Sequence, residues 1–391
     1  MHYSYTPSAL PNTRIQVADV LRGMAIGGIV LIHFIEHLNF YSFPEHLTAL
    51  DRAVWDSVFF LLAGKMYAIF AMLFGLSFFI QHDNQAQRGK DFRLRFAWRM
   101  VLLMGWGLLD LFFFNGDILF LYAVCGLLVL PLIRLSNKTL AIIAGILLLQ
   151  PVELVYIVLG LLNPELKPLD LGSGALFREM MPALANGSIW EAAYVSIVKG
   201  LPMNFLWAIE NGRMTQTLFL FLLGILVGRS RLLYDEGDHA RCWKRVLLGC
   251  VVAFAVLCPI YLFVPKMVQN ACVSHSLEVM LNMWKNMAMM LFVVAGTTLL
   301  FRSLRWRERL LALAPYGKMS LTNYLGQSVV GAFLFYGWGL GLHQYCGHAI
   351  SLLMGLLFVI LQVFFCRWWL AHHKRGPLEE LWYRATWWRK S

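Results

Sequence analysis

Apolar residues run along the chain in stretches of about twenty, enough for a helix to cross a hydrocarbon layer about 30 Å thick, with charged and turn-forming residues between them. The pattern divides the chain into ten expected helices, at 20–40, 55–80, 96–114, 117–134, 139–162, 213–229, 244–265, 278–300, 316–338 and 349–372. The expected fold is an all-α integral membrane protein, one polytopic bundle of about ten transmembrane helices filling 1–391 as a single domain. One connection is long. In 163–212 the turn signals NPELKP and GSG precede WEAAYVSIVKGLPMNFLWAI, a stretch suited to short amphipathic or re-entrant pieces, and a polar tail, 373–391, follows the last helix.

Composition agrees: 59% of residues are hydrophobic and 14% charged, against about 45–50% and about 25% in soluble domains. The formal charge of +11 does not point to nucleic acid, because the basic residues sit at the ends of apolar segments. They cluster in alternate loops, at Arg14, 88–95, 134–138, 229–245, 302–318 and 367–390, the last including Arg389 and Lys390. The other loops hold Arg52, Lys167, Arg178, Lys199, Arg213 and Lys266. The positive-inside rule then puts both termini in the cytoplasm and 163–212 outside. The first apolar stretch has no small-residue cleavage site and is expected to remain as an uncleaved span. The seven cysteines are scattered without CxxC spacing; they read as hydrophobic filler, and no metal is expected.

Polar groups inside the apolar stretches are the candidate chemistry, since ionisable residues within a span usually face a partner or a cavity. In VLRGMAIGGIVLIHFIEH (20–37), Arg22 and His33 return to within about 20° of one helical face, about 16 Å apart along the axis. Glu36 and His37 share that face. Gly23, Gly27 and Gly28 lie off it and suit close packing within the bundle or in a dimer equally. At the depth of His33 other segments contribute Asp56, Asp110, Asn115, Asp117 and Glu153; Lys65 and Lys285 reach toward mid-membrane, and Asn323 and Gln327 share a face. An inward-facing polar chamber, wider outside, is expected.

A histidine beside Asp117 or Asp110 is a candidate general base, although both aspartates suit helix-end caps as well. Lys65 and Lys285 suit structural ion pairs with buried acids. Asn323 and Gln327 suit either donation to a developing oxyanion or interhelical hydrogen bonding. No HExxH, GxSxG, P-loop or Rossmann pattern occurs.

Taken in order, RIQVADVLRGMAIGGIVLIH, FAMLFGLSFF, NGDILFLYAVCGLL, GKMSLTNYLGQS and RGPLEELWYR resemble the YeiB-like family of bacterial membrane proteins, domain-of-unknown-function family 418. The resemblance covers nearly the whole chain and is weakest in 163–212. That family is grouped with transmembrane acyltransferases, among them the heparan glucosaminide N-acetyltransferase and bacterial enzymes that modify surface glycans and lipids. In the glycan-modifying bacterial group a first-helix arginine, ten residues and a histidine taken as catalytic form the hallmark, and Arg22 and His33 keep that spacing. In the YeiB-like pattern asparagine is frequent where His33 stands.

The resemblance implies a cytoplasmic acyl-CoA, acetyl-CoA in the simplest case, as co-substrate, with its phosphates drawn to Arg22 and Arg99. His33 would deprotonate the acceptor or briefly carry the acyl group. The acceptor would be an envelope glycan or lipid at the bacterial inner membrane, with Glu36, His37, Lys285, Asn323 and Gln327 as candidate binding residues and Asp117 and Asp110 as candidate catalytic partners. Two other readings fit the same residues: a transporter of a small solute, and a non-catalytic sensor or partner protein acting through the amphipathic tail GPLEELWYRATWW (376–388).

Overall fold

The computed structural model describes residues 10–234 and 239–388; Arg389 and Lys390 of the basic tail lie outside them. No strand occurs among the described residues. In chain order the helices are α1 (Gln16–Ile35), α2 (Ala49–Leu62), α3 (Lys65–Ala86), α4 (Arg93–Asp110), α5 (Leu119–Val129), α6 (Asn137–Leu148), α7 (Pro151–Leu162), α8 (Ser173–Asn186) and α9 (Ile189–Val195). They continue as α10 (Leu201–Glu210), α11 (Arg213–Arg229), α12 (Ala240–Met267), α13 (Ala271–Phe301), α14 (Leu304–Leu311), α15 (Ala314–Lys318), α16 (Ser320–Phe335), α17 (His348–His372) and α18 (Pro377–Thr386).

Six stretches are long and apolar enough to cross a membrane, at Gln16–Ile35, Ala49–Ala86, Ile189–Glu210, Ala240–Met267, Ala271–Phe301 and His348–His372; the bent pair α6 and α7 makes a seventh if it is one span. The other helices of the expected bundle are shorter or less apolar. The stretch 189–210, expected within a connection, is itself long enough to cross, with five residues of π-helix at Ser196–Gly200 joining α9 to α10.

Three expected spans are broken. Between α2 and α3 the chain turns at Gly64, in the left-handed region at φ 78°. Between α6 and α7 it bends by 44°, with Gln150 at φ 54° ahead of Pro151, which disfavours a helical residue before it. Met319 separates α15 from α16.

Helix α1 is the central element. It packs against α3, α15, α16 and α17, and Val20, Leu21, Ala25, Ile26, Val30 and Phe34 are fully buried. Close crossings depend on glycine. A β-carbon on Gly75 of α3 would strike the carbonyl oxygen of Phe221, and one on Gly224 of α11 would strike that of Met72. Gly23 and Gly317 make the same contact between α1 and α15, against the carbonyls of Leu313 and Asp19. Helices α12 and α17 instead turn Leu248, Val252, Phe263, Leu353, Leu361 and Phe364 outward, an apolar surface of the kind that lipid solvates.

The basic loops gather at one end of the bundle, together with the first described residues and α18. Asn12 donates to Asp83 at 2.8 Å, Arg134 lies 3.7 Å from Asp91, Arg229 donates to the Leu135 carbonyl at 2.8 Å and Arg307 donates to Gln16 at 2.9 Å. The amphipathic tail is tied to the same end. Trp98 donates to the carbonyl of Ala385 at 3.0 Å and Arg95 to that of Thr386 at 2.7 Å. Glu379 of α18 accepts the backbone N–H groups of Leu321 and Thr322 at 2.8 and 3.0 Å, satisfying amides that the first turn of α16 leaves open. Burial outweighs these hydrogen bonds and raises the Glu379 carboxyl above its ordinary value.

Candidate functional site

Arg22 and His33 open into two different cavities. The cavity at the basic end, about 220 Å³, is lined by Arg22, Ser77, Arg99, Lys318, Tyr324 and Trp382 among others. It continues, through Arg99, Lys318 and Trp382, into a mouth of about 420 Å³ that also carries Arg14, Lys374 and Arg375. At the other end a cavity of about 520 Å³ is lined by His33, Glu36, Asn39, Tyr67, Trp207 and Arg213 among others.

The first and last of these have no lining residue in common, although Leu119 lines one and Ile118 the other. Three tyrosines stand at the division. The Tyr122 hydroxyl donates to the carbonyl of Tyr67 at 3.2 Å, the Tyr67 hydroxyl is bonded to that of Thr217, and the Tyr324 hydroxyl accepts the backbone N–H of Ile118 at 3.3 Å.

At the basic end the two expected arginines differ. Arg22 donates to Asp19 at 3.0 Å and to Ser77 at 3.1 Å, while Asp19 also accepts from Arg14 at 2.8 Å, so one carboxylate stands between two guanidiniums. Arg99 has no carboxylate partner among the described residues. Its guanidinium lies 4.4 Å from the Trp382 ring and donates to the Thr386 hydroxyl at 3.2 Å, both on α18. A surplus of positive charge, rimmed by Lys318 and Lys374, faces the mouth.

At the other end His33 lies against Phe114, ring centroids 4.6 Å apart, and edge-on to Tyr324 at 6.4 Å. Of its two ring nitrogens Nδ1 is the buried one and has no hydrogen-bond partner; both amide atoms of Gln327, which is close enough to act on the ring, are likewise buried without one. Beyond His33 the chain leaves α1 through an unusual turn, with His37, Leu38, Asn39 and Tyr41 all at φ between 52° and 58°. Residues with a side chain seldom adopt that region, so the part of the cavity wall formed by Asn39 and Tyr41 is held under backbone strain. The Tyr41 hydroxyl donates to Glu36 at 3.0 Å, and Asn39 donates to Asn115 at 3.0 Å.

The remaining expected site residues are placed apart from the two cavities. His37 donates through Nδ1 to the Ser42 carbonyl at 2.7 Å, which leaves Nε2 to accept from Ser351 of α17 at 2.8 Å. Asp117 caps α5, accepting the backbone N–H groups of Leu119 and Phe120 at 3.1 and 3.0 Å. Asp110 is buried close to Asp117 and within reach of Ser328, and neither aspartate lines the His33 cavity, whose wall there is Phe114, Gly116 and Ile118. Asn323 is committed to the Tyr316 carbonyl at 3.0 Å and to Cys366. Lys285 lies 3.7 Å from the Tyr261 ring, and Lys65 lies 3.5 Å from the Phe59 carbonyl; neither makes an ion pair among the described residues.

The long connection supplies one side of the His33 cavity. Ser173, Gly174 and Phe177 come from α8, and Met203, Asn204 and Trp207 from α10. Glu210 fixes this side by accepting from the backbone of Leu171 at 2.5 Å and from Ser173, and Asn204 reaches across to the Asn115 carbonyl at 2.6 Å. Arg213 and Tyr67 carried no sequence signal for a site. One counted as a loop charge and the other as an apolar-span aromatic, and only the folded chain sets them side by side.

Comparison with known proteins divides the chain between two family profiles. Residues 14–164, which contain Arg22, Arg99 and His33, match the profile described as heparan-alpha-glucosaminide N-acetyltransferase, catalytic. Residues 227–389 match the protein of unknown function family DUF418. Full-length relatives bridge the two matches. The chain is 27% identical to the uncharacterized protein YxaH of Bacillus subtilis over 96% of its own length and 95% of the relative's. It is 26% identical to an uncharacterized 39.9 kDa protein from the amylase 3′ region of Bacillus acidopullulyticus, over 98% and 96%. It is also 26% identical to the uncharacterized protein YeiB of Escherichia coli, over 94% and 95%. The resemblance noted in the sequence is thereby borne out: the carboxy-terminal part matches the DUF418 family, relatives along nearly the whole chain include YxaH and YeiB, and the amino-terminal match links the chain to the transmembrane acyltransferases.

Proposed function

We propose that this protein is an acyltransferase of the bacterial cytoplasmic membrane, moving a small acyl group from acyl-CoA at the basic end to an acceptor in the His33 cavity. The observation that carries the reading is the placement of Arg22 and His33 on one buried helix, each opening into its own cavity, the cavities meeting end to end at the tyrosine division. With the basic end in the cytoplasm, as the loop charges direct, both termini are cytoplasmic and about ten helical segments build the bundle, several of them too short to span unaided.

In this reading the phosphates of acyl-CoA lie at the mouth, against Arg99, Lys318 and Lys374, with Arg22 deeper. The pantetheine arm occupies the narrow cavity and brings the thioester to the tyrosines. His33 takes the proton from an acceptor hydroxyl or amine through the ring nitrogen that faces the cavity. The acceptor atom bonds to the acyl carbon, the carbon–sulfur bond breaks, and the CoA thiolate leaves toward the basic end and is protonated there.

The same two cavities, closed from one another, also suit a transporter caught between openings. One experiment separates the readings. Purified protein in nanodiscs is given acetyl-CoA, and CoA release is followed with glucosamine or a lipid amine as acceptor. Acceptor-dependent release supports the enzyme. Its absence, together with solute uptake into proteoliposomes, supports the transporter.

A further inference from the structure

We infer that the acceptor carries an oxyanion, a phosphate or carboxylate, which Arg213 holds while the reacting group lies at His33. This deepens the acyltransferase reading and rests on it for the word acceptor, but the binding site itself stands on separate observations.

Arg213 is the first residue of α11 and projects into the His33 cavity. Its guanidinium lies 4.5 Å from the Tyr67 ring and 5.4 Å from the Trp207 ring and donates to Gln216 at 3.1 Å. It has no carboxylate partner among the described residues. Glu36, the acid that shares the cavity, accepts from the Tyr41 hydroxyl and makes no ion pair with Arg213, and Glu210, three residues before Arg213, accepts from Leu171 and Ser173. Two aromatic faces therefore orient the guanidinium without neutralising it, leaving donors of the planar, forked kind that match an oxyanion.

The rest of the cavity suits a polar, ring-bearing molecule. Trp207, Tyr67 and Phe177 offer flat faces, and Asn39 and Asn204, whose amide nitrogens are held by the Asn115 turn, add polar atoms to the lining. At about 520 Å³ the space is of the size that takes a small organic molecule. A neutral acceptor would leave the half-buried Arg213 without an anion bonded to it. An anionic one completes it.

The test is equilibrium binding to the full chain in nanodiscs of neutral lipid, which requires no turnover. Titration calorimetry compares glucose 6-phosphate with glucose, and glucuronate with glucose. Native mass spectrometry compares retained phosphatidic acid with diacylglycerol. The expected result is at least a tenfold tighter binding of one anionic probe over its neutral partner. That gain should fall below twofold in Arg213→Gln and be partly restored in Arg213→Lys, with neutral-probe binding unchanged. A gain confined to the sugars identifies a soluble or glycan acceptor, and one confined to phosphatidic acid identifies a lipid headgroup. If no anionic probe is favoured, or if the gain survives in Arg213→Gln, the inference is overturned. Arg213-dependent binding in a protein that never releases CoA would overturn the acyltransferase reading and leave the oxyanion site standing.

Discussion

The carboxylate of Glu379 accepts the Thr322 hydroxyl at 2.6 Å as well as the backbone amides of Leu321 and Thr322, so a side chain close to the carboxyl terminus caps a helix that begins nearly sixty residues earlier. Two of the motifs that carry the family resemblance, GKMSLTNYLGQS and RGPLEELWYR, are thus one contact. Glu379→Ala is expected to cost about 1–2 kcal/mol, as for the loss of an N-cap. Hydrogen exchange over 377–386 should rise more than over α12. Equal protection in variant and wild type would remove the capping role.

The same contact should respond to pH. Burial raises the Glu379 carboxyl, so the docked tail holds the proton more tightly than the free tail does. Docking is therefore favoured at pH below the raised value and weakens as pH rises through it, starting above the ordinary glutamate value of about 4.3. Limited proteolysis of the tail across that range should speed up with pH in wild type, after correction for the protease, and stay flat in Glu379→Gln.

His33→Ala should lower the rate of acceptor-dependent CoA release by about 10²–10⁴-fold, the usual contribution of a general base, with little effect on acyl-CoA binding. Arg99→Ala should do the reverse, weakening acyl-CoA binding with the chemical step largely retained. Arg22→Ala should weaken binding less than Arg99→Ala, because Asp19 already balances part of the Arg22 charge. Saturation kinetics on the three variants check all of this.

Gly224→Ala should be among the more damaging single-methyl changes, since the contact it breaks is with the backbone carbonyl of Met72 and not with a side chain that could turn away. Overpacking of this kind costs about 1–3 kcal/mol. Gly249→Ala, with open space around it, is the control and should match wild type in thermal unfolding.

Much of the fold could be read from the apolar pattern because a residue's depth follows from its place in an apolar stretch. Arg22 and His33 were legible for that reason together with helical period. The direction in which a side chain points across a bundle is not given by depth, and this is where Lys285 and Asn323 part from the cavities: one lies against Tyr261 of α12, the other against α15 and α17. The break before Pro151 had a local signal in the residue preceding proline, whereas Gly64, at the other break, lies in a long apolar stretch where it resembles the packing glycine Gly75 of the same stretch. Arg213 and Trp207 come from segments far from α1 in sequence, and only tertiary packing brings them to His33.

A bacterial membrane stores energy as an ion gradient, and a protein bored through from face to face would discharge it. The tyrosine division answers that constraint. Tyr67, Tyr122 and Tyr324 each have the phenol oxygen engaged, by Thr217, by the Tyr67 carbonyl and by the Ile118 amide, and these ordered groups stand between two cavities that share no lining residue. For the transfer proposed above the tyrosines would have to part while the acceptor atom reaches the acyl carbon and close again behind it. Smaller residues there should make the protein leak protons before they make it unfold.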